Sequence, residues 1–210
     1  MKLSGIYAIT DEYLLPGEHL LSAVTEALSG GVTLVQYRSK HRDSRQRLVD
    51  AQALVELCSR FDVPLVINDD VSLCLRVGAA GVHLGQGDAE IASARATLGN
   101  SAIIGVSCHA DIDLARKAQD QGADYVAFGR FFPSQTKPDA PPADLEILSR
   151  AKQQLTIPVV AIGGINAENG AAVIAAGADM LAVINYLFGG PGIGDRTRCL
   201  ANLFETRIPD

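Results

Sequence analysis

Short apolar runs alternate with helical stretches along this whole chain, and most helical stretches end in a glycine-bearing junction. The junctions Gly30-Gly31-Val32-Thr33, Gly78-Ala79-Ala80-Gly81, Gly122-Ala123-Asp124-Tyr125 and Gly177-Ala178-Asp179-Met180 share one logic. A helix stops where glycine can take a left-handed conformation, and the chain turns at once into a buried strand. Strand-like runs fall at 6–10, 33–38, 64–68, 81–84, 103–107, 125–128, 159–162 and 181–184. Helical patterns lie between them near 18–29, 43–61, 71–77, 89–98, 111–121, 143–154, 167–176 and 194–206. Such alternation implies parallel strands joined by right-handed crossovers. A unit of roughly 25 residues repeated eight times fits 210 residues and predicts a closed (β/α)8 TIM barrel. The barrel is expected to be a single domain spanning 1–210, with its site at the C-terminal ends of the strands. An open doubly wound sheet is the alternative arrangement of the same units.

The stretch 43–61 shows how the helices face the barrel. Leu48, Ala51, Leu54, Val55 and Cys58 form an apolar stripe, while Arg45, Arg47, Asp50 and Glu56 are expected largely off it. Asp43 or Ser44 serves as its N-cap. No linker divides the chain. The longest loop-like stretch, 132–142, is rich in proline and polar residues and is expected to be an active-site loop.

The bulk chemistry narrows the partners. The net charge of -6 argues against a broad nucleic-acid or anionic-membrane surface. No apolar run approaches the ~20 residues of a membrane span. Met1-Lys2-Leu3-Ser4 leads straight into a strand-like run, so no secretory signal is expected. Cys58, Cys74, Cys108 and Cys199 are scattered without a CxxC pair, which predicts no structural zinc and a reducing, cytoplasmic setting.

Polar residues at strand ends carry the chemistry. Gln36, Arg38 and Lys40 alternate onto one face at the end of an apolar run. Asn68-Asp69-Asp70 follows the next run, and Asp88, Ser107 and His109 follow later ones. In a barrel these positions converge on one mouth. Arg38, Lys40 and Lys137 suit a diphosphate, through a planar fork and compact point charges. Asp69 and Asp88 suit Mg²⁺, which takes one or two carboxylates and fills its shell with substrate oxygens and water. Asp70 and Asp88 also precede helices, where an acid acts as an N-cap. Arg42 and Arg45 are expected to be solvated loop charges. Gly163-Gly164 lets backbone N–H groups approach an anion, and Asn166 can cap the helix that follows. His83, within a strand, is expected to be a hydrogen-bonded barrel-wall residue.

The chain resembles the thiamin phosphate synthase family over nearly its whole length. The resemblance is carried by Tyr7-Ala8-Ile9-Thr10-Asp11, Gln36-Tyr37-Arg38-Ser39-Lys40, Asn68-Asp69-Asp70, Gly81-Val82-His83-Leu84-Gly85-Gln86, Gly105-Val106-Ser107-Cys108-His109, Phe132-Pro133-Ser134-Gln135-Thr136-Lys137 and Ala161-Ile162-Gly163-Gly164-Ile165. It implies a transferase of thiamine biosynthesis that joins a hydroxymethylpyrimidine diphosphate to a thiazole phosphate and releases pyrophosphate. It implies a pyrimidine-diphosphate site of Gln36, Tyr37, Arg38, Ser39, Lys40, Asn68, Ser107 and Lys137, with Arg38, Lys40, Ser107 and Lys137 acting in catalysis. It implies Mg²⁺ on Asp69 and Asp88, and a thiazole-phosphate site of Ser134, Gln135, Thr136, Gly164, Ile184 and Asn185. The partners implied are small molecules, with a homo-oligomer left open. Ser134, Asn185 and Arg130 depart from the family's usual threonine, serine and proline. Two other functions compete. A thiazole tautomerase on the same fold would move protons through a histidine and need no diphosphate apparatus. A non-catalytic thiamin-phosphate-binding protein would not turn over the two precursors.

Overall fold

The computed structural model describes residues 3–87, 90–133 and 141–205. Its strands are β1 (Gly5–Ile9), β2 (Val32–Tyr37), β3 (Leu65–Asn68), β4 (Gly81–Leu84), β5 (Ile103–His109), β6 (Tyr125–Phe128), β7 (Val159–Ile162) and β8 (Met180–Val183). They pair in parallel in chain order, and β8 returns to β1, so the barrel is closed. The open-sheet alternative is thereby excluded. Around it run α1 (His19–Ser29), α2 (Ser44–Ser59), α3 (Val71–Val77), α4 (Ile91–Leu98), α5 (Ile112–Asp120), α6 (Glu146–Gln154), α7 (Gly170–Ala175), α8 (Asn185–Phe188) and α9 (Ile193–Glu205).

Strand alternation creates two cores. Outward residues such as Ile6, Val35, Ile67, Val82, Ile104, Val126 and Leu181 pack under the helices. Inward residues such as Tyr7, Leu34, Val66, Tyr125, Val160 and Met180 fill the barrel. The apolar interior stops short of the C-terminal ends, where Gln36, Asn68, His83 and Ser107 take over the inward positions. The change of side-chain chemistry, not a change of backbone, makes the mouth.

Caps explain where several helices begin. The Asp43 carboxylate accepts from the Arg45 and Gln46 N–H groups, so it, rather than Ser44, caps α2. Asp70 caps α3 through Leu73 N–H, and Asp111 caps α5 through Asp113 and Leu114 N–H. Two expectations need correction. Asp50 is buried, not off the α2 stripe: it accepts from the Tyr37 hydroxyl at 3.0 Å, from Gln46 and from Arg42. Arg42 is therefore half-buried between Asp50 and the Leu15 carbonyl rather than a solvated loop charge. α7 starts only at Gly170, because Asn166 Oδ1 accepts from Glu168 and Asn169 N–H and holds a turn before it. The four-residue α8 is absent from the sequence-based elements.

Candidate active site

The C-terminal mouth opens into a cavity of about 500 Å³. Of the residues expected there, Gln36, Arg38, Lys40, Asn68, Asp69, Ser107, Gly164, Ile184 and Asn185 line it. Asp88, Ser134, Gln135, Thr136 and Lys137 lie outside the described residues. Tyr37 and Ser39 do not line the cavity. The alternation that brings Gln36 and Arg38 inward sends the Tyr37 ring out to Asp50, and Ser39 Oγ donates to Glu12 at 2.8 Å.

The cationic wall is built by two loops acting on each other. Thr10 Oγ1 accepts from Arg38 N–H at 3.0 Å, and the Arg38 guanidinium sits 3.6 Å from Asp11 Oδ2. Glu12 holds the segment after β2, accepting from Ser39 Oγ and from the N–H groups of Lys40, His41 and Arg42 at 2.8–3.1 Å. Burial pushes the Glu12 carboxyl upward, but these donors outweigh burial and leave it below its ordinary value. Glu12 is a positioning residue for the cationic segment that sequence reasoning missed. A glutamate three residues past β1 carries no signal of that role.

Asp69 and Asp70 separate cleanly. Asp69 lines the cavity, has a left-handed backbone (φ 63°) and accepts from Asn68 Nδ2 at 2.6 Å. Asp70 turns away to cap α3 and pairs with Arg47 at 2.7 Å. Opposite, Gly163 (φ 107°) and Gly164 (φ 64°) turn the chain after β7. A Cβ on Gly164 would stand 2.5 Å from the Pro133 carbonyl oxygen, so the backbone there is tight as well as left-handed. Ile184 and Asn185 complete this side at the start of α8.

His83 lines the cavity and is hydrogen-bonded, with Nδ1 2.9 Å from Tyr125 Oη and Nε2 2.8 Å from Ser107 Oγ. Gln86, which the strand-end pattern places at the mouth, donates to the Ser107 carbonyl at 2.5 Å. Arg130 and Tyr186 are further lining residues. No group of three or more His, Cys, Asp or Glu side chains suited to a metal ion occurs among the described residues. Among the described lining residues the one carboxylate is Asp69, and a hard ion such as Mg²⁺ takes one or two carboxylates and completes its shell with substrate oxygens and water.

The residues 6–187 match the model of the family described as thiamine monophosphate synthase. The chain is 55% identical over 186 residues to a thiamine-phosphate synthase of Marinobacter nauticus, covering 89% of this chain and 83% of the relative. It is 51% identical over 204 residues to a thiamine-phosphate synthase of Thioalkalivibrio sulfidiphilus, covering 97% of each. Its fold superposes with a TM-score of 0.87 on the solved thiamine phosphate pyrophosphorylase of Pyrococcus furiosus, at 35% identity, covering 96% of this chain and 95% of that one.

Proposed function

The chain belongs to the thiamine monophosphate synthase family, and from that premise we propose how its own residues divide the work. It is a transferase that forms thiamine phosphate from a hydroxymethylpyrimidine diphosphate and a thiazole phosphate. The observation that supports the residue assignment is that Gln36, Arg38, Lys40, Asn68, Asp69 and Ser107 converge on one cavity from the ends of three strands, β2, β3 and β5.

In this assignment the transfer breaks the bond between the pyrimidine methylene carbon and the diphosphate oxygen. A new bond then forms from that carbon to the thiazole nitrogen. The electron-rich aminopyrimidine stabilises the positive methylene, so no protein nucleophile is needed. Arg38, Lys40 and Lys137 meet the charge that grows on the departing pyrophosphate, a gain realised in the transition state. Ser107 donates to the same group. Gln36 and Asn68 orient the pyrimidine end, and Gly164, Ile184, Asn185 and the segment Ser134-Gln135-Thr136 take the thiazole phosphate. Mg²⁺, held by Asp69 and Asp88, would supply further charge neutralisation on the diphosphate. The cavity would have to hold the two substrates face to face and keep water from the cation.

No described helix is long and apolar enough to cross a membrane. Cys58, Cys74 and Cys108 are buried free thiols, and burial pushes Cys58 and Cys108 up to about 12. Buried thiols that stay unpaired suit a reducing cytoplasmic setting. The purified protein mixed with both precursors and Mg²⁺ should release thiamine phosphate and pyrophosphate in equal amounts. Binding of thiamine phosphate without any turnover of the precursors would overturn the assignment.

A further inference from the structure

Inside the barrel, below the cavity, buried polar groups connect Gln36 to Ser107. Gln36 Nε2–H donates to the Tyr7 hydroxyl. The Tyr7 and Tyr125 hydroxyls are 2.7 Å apart. Tyr125 Oη lies 2.9 Å from His83 Nδ1, and His83 Nε2 lies 2.8 Å from Ser107 Oγ. Gln36 comes from β2, Tyr7 from β1, Tyr125 from β6, His83 from β4 and Ser107 from β5, so the chain of bonds crosses the barrel. Gln36, His83 and Ser107 line the cavity, Tyr7 reaches it from its floor while almost completely buried, and Tyr125 is fully buried behind it.

Small barrels usually fill this space with branched apolar side chains. Here the space is cleared for a phenol instead: a Cβ on Gly105 would lie 1.9 Å from Tyr125 Cζ. Burying hydroxyls costs free energy unless each is paired, and each of these is. Burial keeps both phenols far above their ordinary titration range, so each carries one proton at neutral pH.

One proton per link allows the chain as a whole to run in one direction or the other. With the Gln36 amide donating to Tyr7, the direction that uses every proton within the chain takes the Tyr7 proton to Tyr125 and the Tyr125 proton to His83 Nδ1. The imidazole then carries its proton on Nε2 and gives it to Ser107 Oγ. The Ser107 proton is left for the cavity, and Gln36 keeps Oε1 as its acceptor. Diphosphate oxygens only accept hydrogen bonds, and an aromatic amine donates them. The opposite direction would turn an acceptor toward the anion.

We propose that Tyr7, Tyr125 and His83 are positioning residues that form a one-directional hydrogen-bond chain. The chain makes Ser107 a donor to the diphosphate and Gln36 an acceptor for the pyrimidine amine. It rests on the assignment of the pyrimidine diphosphate to this wall, and it ties the two ends of that substrate together through the protein.

The test has one arm without substrate and one with it. In substrate-free protein, ¹⁵N spectra of the histidine rings, assigned by the signal lost in His83→Gln, should show His83 protonated on Nε2 and bare on Nδ1. A His83 protonated on Nδ1 overturns the proposal, whatever the activity of the protein. In turnover, Tyr125→Phe should lower kcat about tenfold and leave the thiazole-phosphate KM within about twofold. The same substitution in a Ser107→Ala background should then change kcat less than about twofold, because its effect acts through Ser107. Equal losses in both backgrounds would mark Tyr125 as a packing residue and overturn the proposal. If Tyr125→Phe does not fold, Tyr7→Phe takes its place in the same cycle. Failure of the parent protein to make thiamine phosphate would strike the reaction assignment alone, because the ¹⁵N measurement needs no substrate.

Discussion

Asp69 and Asp70 are chemically identical neighbours with separate fates, and the backbone decides between them. Asp69 adopts a left-handed conformation that turns its carboxylate into the cavity, whereas Asp70 is spent on the α3 N-terminus and Arg47. Asp69→Asn keeps the shape and removes the charge. It should lower turnover at least about 100-fold, or about 2.7 kcal/mol of barrier, with the loss read in steady-state assays across a Mg²⁺ titration. Asp70→Asn should leave the Mg²⁺ dependence in place. Glu12 gives a second test at this scale. Its carboxyl titrates below its ordinary value in the folded protein. Its stabilisation is therefore complete above the unfolded-state pKa and is lost as pH falls through the folded-state pKa. Urea midpoints taken on acidification should fall more steeply for the parent than for Glu12→Gln. Parallel curves would remove Glu12 from that role. Period-two alternation placed Gln36 and Arg38 at the mouth from the sequence alone. The same rule already spoke against Tyr37 as a lining residue, and the structure sides with the rule. Asp50 defeated it for a different reason: an acid reads as surface until its partners Tyr37, Gln46 and Arg42 are brought to it by the fold.

The Gly-Ala-Asp junctions show how a local motif becomes an element-scale device. At the first junction Gly31, not Gly30, takes the positive φ; at the others Gly78, Gly122 and Gly177 do. The aspartate then does what glycine cannot. Asp124 donates its N–H to the Ile104 carbonyl at 2.7 Å and accepts the Ile104 N–H on its carboxylate at 2.7 Å. Asp179 repeats the reciprocal pair with Val159, at 2.8 Å each way. Each carboxylate is also held by a cation from an earlier helix, Arg95 of α4 or Lys152 of α6. At the Gly78 junction an alanine stands in the aspartate's place, and only the backbone half survives, from Ala80 N–H to the Leu65 carbonyl. These clamps sit at the N-terminal ends of the strands, away from the mouth. Asp179→Ala should cost about 1–3 kcal/mol, because it leaves the Val159 N–H without its acceptor. Urea unfolding measures that loss, and kcat of the folded fraction should be unchanged. Asp124, more exposed than Asp179, should lose less on the same substitution. The repeat of glycine turns was legible in the sequence because it is local. The partner of each aspartate lies about 20 residues back, across a strand pairing, and no local pattern reports it. The same limit hid α8, whose four residues are too few to show a helical period.

At the scale of the molecule, closing the barrel sets two unlike half-rings against each other. The ends of β2, β3 and β5 contribute Gln36, Arg38, Lys40, Asn68, Asp69 and Ser107 to one wall, while Arg130 after β6 and the turns after β7 and β8, with Asn166, Asn185 and Tyr186, line the other. In the proposed assignment the first wall takes the pyrimidine diphosphate and the second the thiazole phosphate. The two walls are joined by the strand pairing of the closed barrel, but in the proposed assignment each meets a different substrate, so damage to the groups of one should be separable from the other. Gly164 is the position where that separation is sharpest. Its φ of 64° disfavours a β-branched residue, and any Cβ would press on the Pro133 carbonyl oxygen at 2.5 Å and Phe132 Cβ at 2.8 Å. Gly164→Val should therefore push the segment around Pro133 and the turn after β7 apart and withdraw the N–H groups from the phosphate. Isothermal titration should show thiazole-phosphate binding weakened at least about tenfold, or about 1.4 kcal/mol. Pyrimidine-diphosphate binding in the presence of Mg²⁺ should stay within about twofold. Asn185→Ser, at the neighbouring turn, keeps a polar group on an undisturbed backbone and should hold activity within about tenfold of the parent. If Gly164→Val weakened both substrates equally, the barrel rim would be acting as one body, and the division of the mouth into two walls would be wrong.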